Sequence, residues 1–143
     1  MLYRALNAVK TRIDGLSLAG SPTVSVRWLP RTKAGDVYPM IHVTPVGAES
    51  FPGTMTATDD IGLPVAVTIV DNQNQDPTAN LNRNALWRER ILSALRFQRL
   101  AGVEEGYILD PEPGMIVNPG MFDSNNLFFS PLFFRLITRT ERG

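Results

Sequence analysis

Leu2, Leu6, Val9, Ile13 and Leu16 recur at alternating spacings of four and three, the stripe of an amphipathic helix, with Arg4, Lys10 and Arg12 off that stripe. The spacing predicts a first helix that ends near Gly15 or Gly20. After Ser21-Pro22 the period drops to two: Val24, Val26 and Trp28 alternate with Thr23, Ser25 and Arg27, which predicts a strand with one buried face. Pro30 to Asp36 reads as a turn, and Met40 to Thr44 as a second strand. Between Pro45 and Gly62 the glycines, Pro52 and the pair Asp59-Asp60 predict a loop or a protruding hairpin. Leu63 to Asp71 is the strongest strand signal, with Val65, Val67 and Ile69 on one face and Ala66, Thr68 and Val70 on the other, so it belongs at the centre of a sheet. Pro64 must then lie at the start of the strand's hydrogen bonding or on an unpaired side.

The polar stretch from Asp71 to Asn80 reads as a connector, and a second helix is expected from about Leu81 to Leu100. At 100° per residue, Trp87, Ile91, Leu95, Leu81, Leu92 and Ala85 share an arc that should face the sheet. Leu86, Phe97 and Leu100 fall on the other side, where a helix bordering only solvent should be polar, and form a candidate contact with a neighbour. Short strands are expected at Tyr107-Ile108-Leu109 and Met115-Ile116-Val117. Ser130-Pro131 should break the aromatic run, so that a final strand starts at Leu132. In that strand Phe134, Leu136 and Thr138 lie on one side, and Phe133, Arg135, Ile137 and Arg139 on the other. Both faces are partly apolar; Phe133 and Ile137 are the candidates for a partner and Phe134 and Leu136 for the core. Two helices and several strands without a linker make a single α+β domain over residues 1–143.

Composition narrows the functional classes. Hydrophobic residues are 43% and charged residues 20% of the chain, which is the balance of a folded globular protein. Lys plus Arg and Asp plus Glu are 14 each, so no global field draws nucleic acid, and contact with DNA has to come from local charge. Cysteine is absent, which removes disulfides and thiolate chemistry. The N-terminus lacks the apolar run of a signal peptide and no stretch is long enough to span a bilayer, so a cytoplasmic site of synthesis is expected.

Catalytic chemistry finds little footing. His42 is the only histidine, on an alternating strand with no ligand at metal spacing, which favours a structural role. Asp59-Asp60 and Glu104-Glu105 are adjacent carboxylates whose side chains diverge on a strand, and read as solvated loop charges. Neither a Gly-x-Gly-x-x-Gly fingerprint nor a Walker loop occurs, and no cofactor is expected. Arg83, Arg88, Arg90, Arg96 and Arg99 oppose a single acid, Glu89, along the second helix. They suit a solvated or intersubunit ion-paired face, or contact with a DNA backbone; Arg83, Arg90 and Arg96 are the candidates for either.

The order of these elements has a counterpart. A short N-terminal helix, Tyr38-Pro39-Met40-Ile41-His42-Val43, a long loop, the Val65-Ala66-Val67-Thr68-Ile69-Val70 strand, an Arg-rich helix and a closing Phe134-Arg135-Leu136-Ile137-Thr138-Arg139-Thr140-Glu141-Arg142 segment resemble the tail-terminator (tail-completion, or neck) proteins of tailed bacteriophages and tail-like particles. The resemblance covers nearly the whole chain and lies in order, length and texture, without an invariant motif. It implies a mixed, mostly antiparallel sheet packed against two helices with long loops. It also implies a non-enzymatic virion protein, assembled in the host cytoplasm, that forms a hexameric ring on the last tail-tube ring. Its partners would be itself, the tail-tube protein and a head-completion or stopper protein, with DNA passing the lumen unread and no membrane. Two other readings stay open: a head-closure or stopper protein of the same neck, which tends to be more purely β, and a small cytoplasmic α+β ligand-binding or enzymatic domain with His42 and Asp59 as its polar residues.

Overall fold

A computed structural model describes residues 2–29, 35–48, 50–54, 58–72, 77–96, 108–112, 116 and 127–141. Helix α1, Leu2–Asp14, buries Ala5, Leu6, Val9 and Ile13, the stripe its spacing predicts, and places Arg12 in the last turn where a cation suits the helix dipole. Strands β1 (Thr23–Val26), β2 (Met40–Pro45), β3 (Ser50–Thr54) and β4 (Thr58–Asn72) follow, then helix α2 (Pro77–Leu95) and strands β5 (Ile108–Glu112) and β6 (Leu127–Glu141). The strands form one sheet in the order β1-β2-β4-β6-β5, with β3 also on β4. Among the described strands only the β1–β2 pairing is parallel; the others are antiparallel. The fold is thus α+β with a mixed, mostly antiparallel sheet.

Both helices lie on one face of the sheet. Ala5, Leu6, Val9 and Ile13 of α1 and Trp87, Ile91 and Leu95 of α2 meet Ile41, Val43, Leu63, Val65, Val67, Ile69, Leu132, Phe134 and Leu136 in a single core. Burying one such aliphatic side chain contributes roughly 2 kcal/mol, so this layer dominates the stability of the fold. The connector from α1 crosses it closely: Gly20 has φ +89°, and a Cβ there would stand 3.4 Å from the Trp87 ring.

The segment from Pro45 to Gly62 forms a hairpin, β3 on the first half of β4, and β4 is central, as its two apolar faces require. Pro64 accepts the Val46 N–H on its carbonyl at 3.1 Å, so its missing donor falls where β2 runs out.

Four expectations need correction. The final strand does not start at Leu132; it runs from Leu127 through Ser130-Pro131. The Pro131 carbonyl accepts from Arg88, not from the β4 ladder, so the residue turns its backbone away from β4, beyond the last β5 pair at Phe133. Helix α2 opens at Pro77, not Leu81, because proline is well suited to a first helical position and the polar run hides the first turn. Leu81 and Ala85 are exposed and do not join Trp87, Ile91 and Leu95 against the sheet. Trp28 is 76% exposed because β1 stops at Val26 and the alternation ends with it. The turn at 30–34, the acids at 104–105, Tyr107, Met115 and Val117 lie outside the described residues; Ile116 is exposed and sits in a bend.

Candidate interaction surfaces

The arginines of α2 are largely spent on the fold. Arg83 pairs with Asp71, whose side chain is almost wholly buried, and stands 4.8 Å over the Trp87 ring, while Asn84 donates to the same carboxylate at 3.3 Å. Arg88 donates to the Ser130 hydroxyl at 2.8 Å and the Pro131 carbonyl at 2.7 Å, and burial pushes its guanidinium below its ordinary value. Ser130 in turn donates to the Ile116 carbonyl at 2.6 Å. Arg90 reaches the Leu16 carbonyl at 2.7 Å, and Arg12 of α1 the Ala94 carbonyl at 3.3 Å. These contacts fasten α2 to β4, β6 and the end of α1. Among the three arginine candidates, Arg83 therefore has its charge matched within the chain, Arg90 is exposed while bonded to Leu16, and Arg96 is exposed.

The opposite face of the sheet carries neither helix. Its rows run Met40–Val70–Phe129, His42–Thr68–Pro131 and Thr44–Ala66–Phe133. Met40, Val70 and Phe129 form a second small core with Tyr38 beside it. His42 and Thr44 are fully buried, and among the described residues neither imidazole nitrogen nor the Thr44 hydroxyl has a hydrogen-bond partner. Desolvation, with the nearby Arg27 charge, pushes His42 down to about 4, against a smaller opposite effect of Asp36. It is a neutral core residue near pH 7. At the β1 end of this face Arg27 grips Asp36 through two hydrogen bonds of 3.0 and 2.8 Å, and those bonds hold the guanidinium above its ordinary value despite burial.

An exposed apolar feature lies at the sheet's β1 edge. Leu2, Tyr3, Leu6, Val26, Arg27 and Trp28 line a groove of about 500 Å³ between the start of α1 and the end of β1. Tyr3 and Trp28 are 68% and 76% exposed, and Leu29 and Val37 are also open. The N–H groups of Thr23 and Arg27 point at β2, to the Pro39 and Val43 carbonyls, so the backbone groups of Val24 and Val26 face the side where no described strand lies.

Of the predicted partner contacts, Leu86 is 55% exposed on α2, and Phe133 and Ile137 are half-buried on the helix-free face. Phe97 and Leu100 lie outside the described residues. Leu86 thus stands apart from Phe133 and Ile137, on the other side of the sheet. The groove was missed by periodicity: Tyr3 lies off the α1 stripe, and Trp28 continues the β1 alternation in sequence only. An aromatic on the polar side of a helix was the available signal. Among the described residues no three of His, Asp and Glu gather as a metal set, and no helix is long and apolar enough to cross a membrane. No protein-family model matches the chain, and the search of curated proteins found no match.

Proposed function

We propose that this chain is a structural, non-enzymatic subunit of a phage tail-terminator ring, most simply a hexamer. The ring sits at the head-proximal end of the tail tube, ends tube polymerisation and presents the tail to a head-completion protein. The observation that carries this reading is the groove lined by Leu2, Tyr3, Leu6, Val26, Arg27 and Trp28 at the β1 edge, where no described strand pairs with β1 on its outer side. Exposed apolar surface beside a strand edge that no described strand pairs suits a protein contact. Leu86 on α2 supplies a second, separate surface, and a cyclic assembly uses two different surfaces of every subunit. The order of elements adds the resemblance to terminators.

DNA passage fits the charge. The subunit is formally neutral, and Arg83 and Arg88 of the Arg-rich helix are engaged within the chain. Weak electrostatic contact lets a duplex pass, where a dense cationic lining would retain it. The test is to add purified protein to tail-tube subunits as they polymerise. A ring of extra density at one tube end, with elongation stopped, is expected in electron micrographs. Tubes that grow to the same length distribution with and without the protein overturn the reading.

A further inference from the structure

The β1 edge carries a hollow at each of its ends. Beside the end of β1 lies the groove that holds Tyr3 and Trp28. Beside its start lies a smaller hollow of about 280 Å³, lined by Ile13, Leu18, Pro22 and Val24 together with the polar Asp14, Ser17 and Ser21. Between the two, β1 reads Thr23-Val24-Ser25-Val26, with neither a charge nor a proline to guard an edge on which no described strand pairs. Thr23 and Arg27 turn their N–H groups to β2, so Ser25 does the same, and Val24 and Val26 direct their backbone groups outward. The Val24 and Val26 side chains pack into the core under α1, so both hollows open on the α1 side of the sheet. Trp28 is 76% exposed on that same side.

We infer that β1 pairs antiparallel with β1 of a second copy about a two-fold axis at Ser25, and that Trp28 of each copy enters the smaller hollow of the other. The backbone selects the register. An axis at Ser25 sets Val24 opposite Val26 of the second copy, and both outward residues of each strand then join hydrogen-bonded pairs. An axis at Val24 would call on Pro22, which has no N–H, and one at Val26 would call on Trp28, beyond the end of β1. The selected register brings Trp28 opposite Pro22 of the second copy, at the wall of the smaller hollow and on its side of the sheet. Chemistry agrees with position. An indole is an apolar ring with one N–H donor; the hollow offers Ile13, Leu18 and Val24 to the ring and the Ser17 and Ser21 hydroxyls as acceptors. Because projection and hollow belong to one edge, seating each in the other requires a two-fold, and that makes a second copy of this chain the occupant.

The pairing goes beyond the ring reading. It covers, in the free subunit, the edge whose groove the ring would use, and keeps an unguarded strand from joining other chains. A ring forms only after it opens.

The absence of native cysteine makes the test clean. Native mass is measured on the unmodified protein and on Trp28→Ala across concentration. Ser25→Cys is mildly oxidised beside Glu89→Cys, an exposed position on α2, and non-reducing electrophoresis reads the product. Residues facing each other across the axis in a non-hydrogen-bonded pair have Cα atoms about 4.5 Å apart, within disulfide reach. A dimer is expected, weakened at least tenfold by Trp28→Ala, with Ser25→Cys linking at least tenfold faster than Glu89→Cys. A monomer at all concentrations overturns the pairing, as does a dimer or free ring in which Ser25→Cys links no faster than Glu89→Cys. Rings on tail-tube ends in those cases leave the ring reading standing; a Ser25-linked dimer beside tubes that elongate unchecked keeps the pairing and overturns the ring.

Discussion

Asp71 and His42 are two buried polar residues with opposite dependence on their neighbours. Asp71 is satisfied by Arg83 and Asn84, and the pair is asymmetric, since Arg83 keeps about a third of its side chain in water while Asp71 keeps almost none. Arg83→Ala strands a buried carboxylate, whereas Asp71→Asn frees a guanidinium that can turn to solvent. Chemical denaturation should therefore show Arg83→Ala losing roughly 3 kcal/mol and Asp71→Asn about half as much. Equal losses would show that the charge of Arg83 is no better solvated than that of Asp71. His42 works through pH. Its folded value, about 4, lies below its ordinary 6.5, so the unfolded chain binds the proton first and stability falls as pH drops from about 6.5 to 4. Stability is full above that window. A His42→Leu protein should lose this slope, with a difference of up to about 3 kcal/mol between pH 7 and pH 4; parallel pH profiles for the two proteins would place the imidazole in water.

Helix α2 shows how elements are held and how far they can be read. Its buried side, Trp87, Ile91 and Leu95, was legible from a period of 3.6, as were α1 and the two-faced strand β4. Pro77 was not, because the polar run before it hides the first helical turn, and Pro131 was not, because the effect of a proline in a strand depends on which side of the ladder its nitrogen faces, a property of the neighbouring strands. The role of the arginines was hidden for the same reason. A run of Arg on a helix looks like a charged face until Asp71, Ser130 and the carbonyls of Leu16 and Pro131 are brought under it by the sheet. Arg88 is the central fastener: Arg88→Met should keep the apolar stem and lose its charged hydrogen bonds, lowering thermal stability by roughly 2 kcal/mol in calorimetry. An unchanged melting temperature would mean those bonds are replaced by water at no cost.

For the whole molecule, the two separate apolar surfaces carry the functional reading, and only one of them was visible as a pattern. Leu86 stood out as an apolar residue on a polar arc; the Tyr3–Trp28 groove needed the end of β1 and the start of α1 to be placed side by side. Because Leu86 and Trp28 are both more than half exposed, Leu86→Asp and Trp28→Glu should leave the melting temperature of the subunit within a degree or two while weakening assembly at least tenfold. Phe133 is a less clean test, since it is half-buried beside Ala66 and Thr44 and its replacement disturbs the sheet as well. Variants that assemble like the parent would remove both surfaces from the ring contact. The most direct measurement is the native mass of the purified protein across concentration, with negative-stain images of the same sample. A closed ring near six subunits, either free or formed on tail-tube ends, is the expected result; a monomer that forms no ring alone or on tubes is incompatible with a tail terminator.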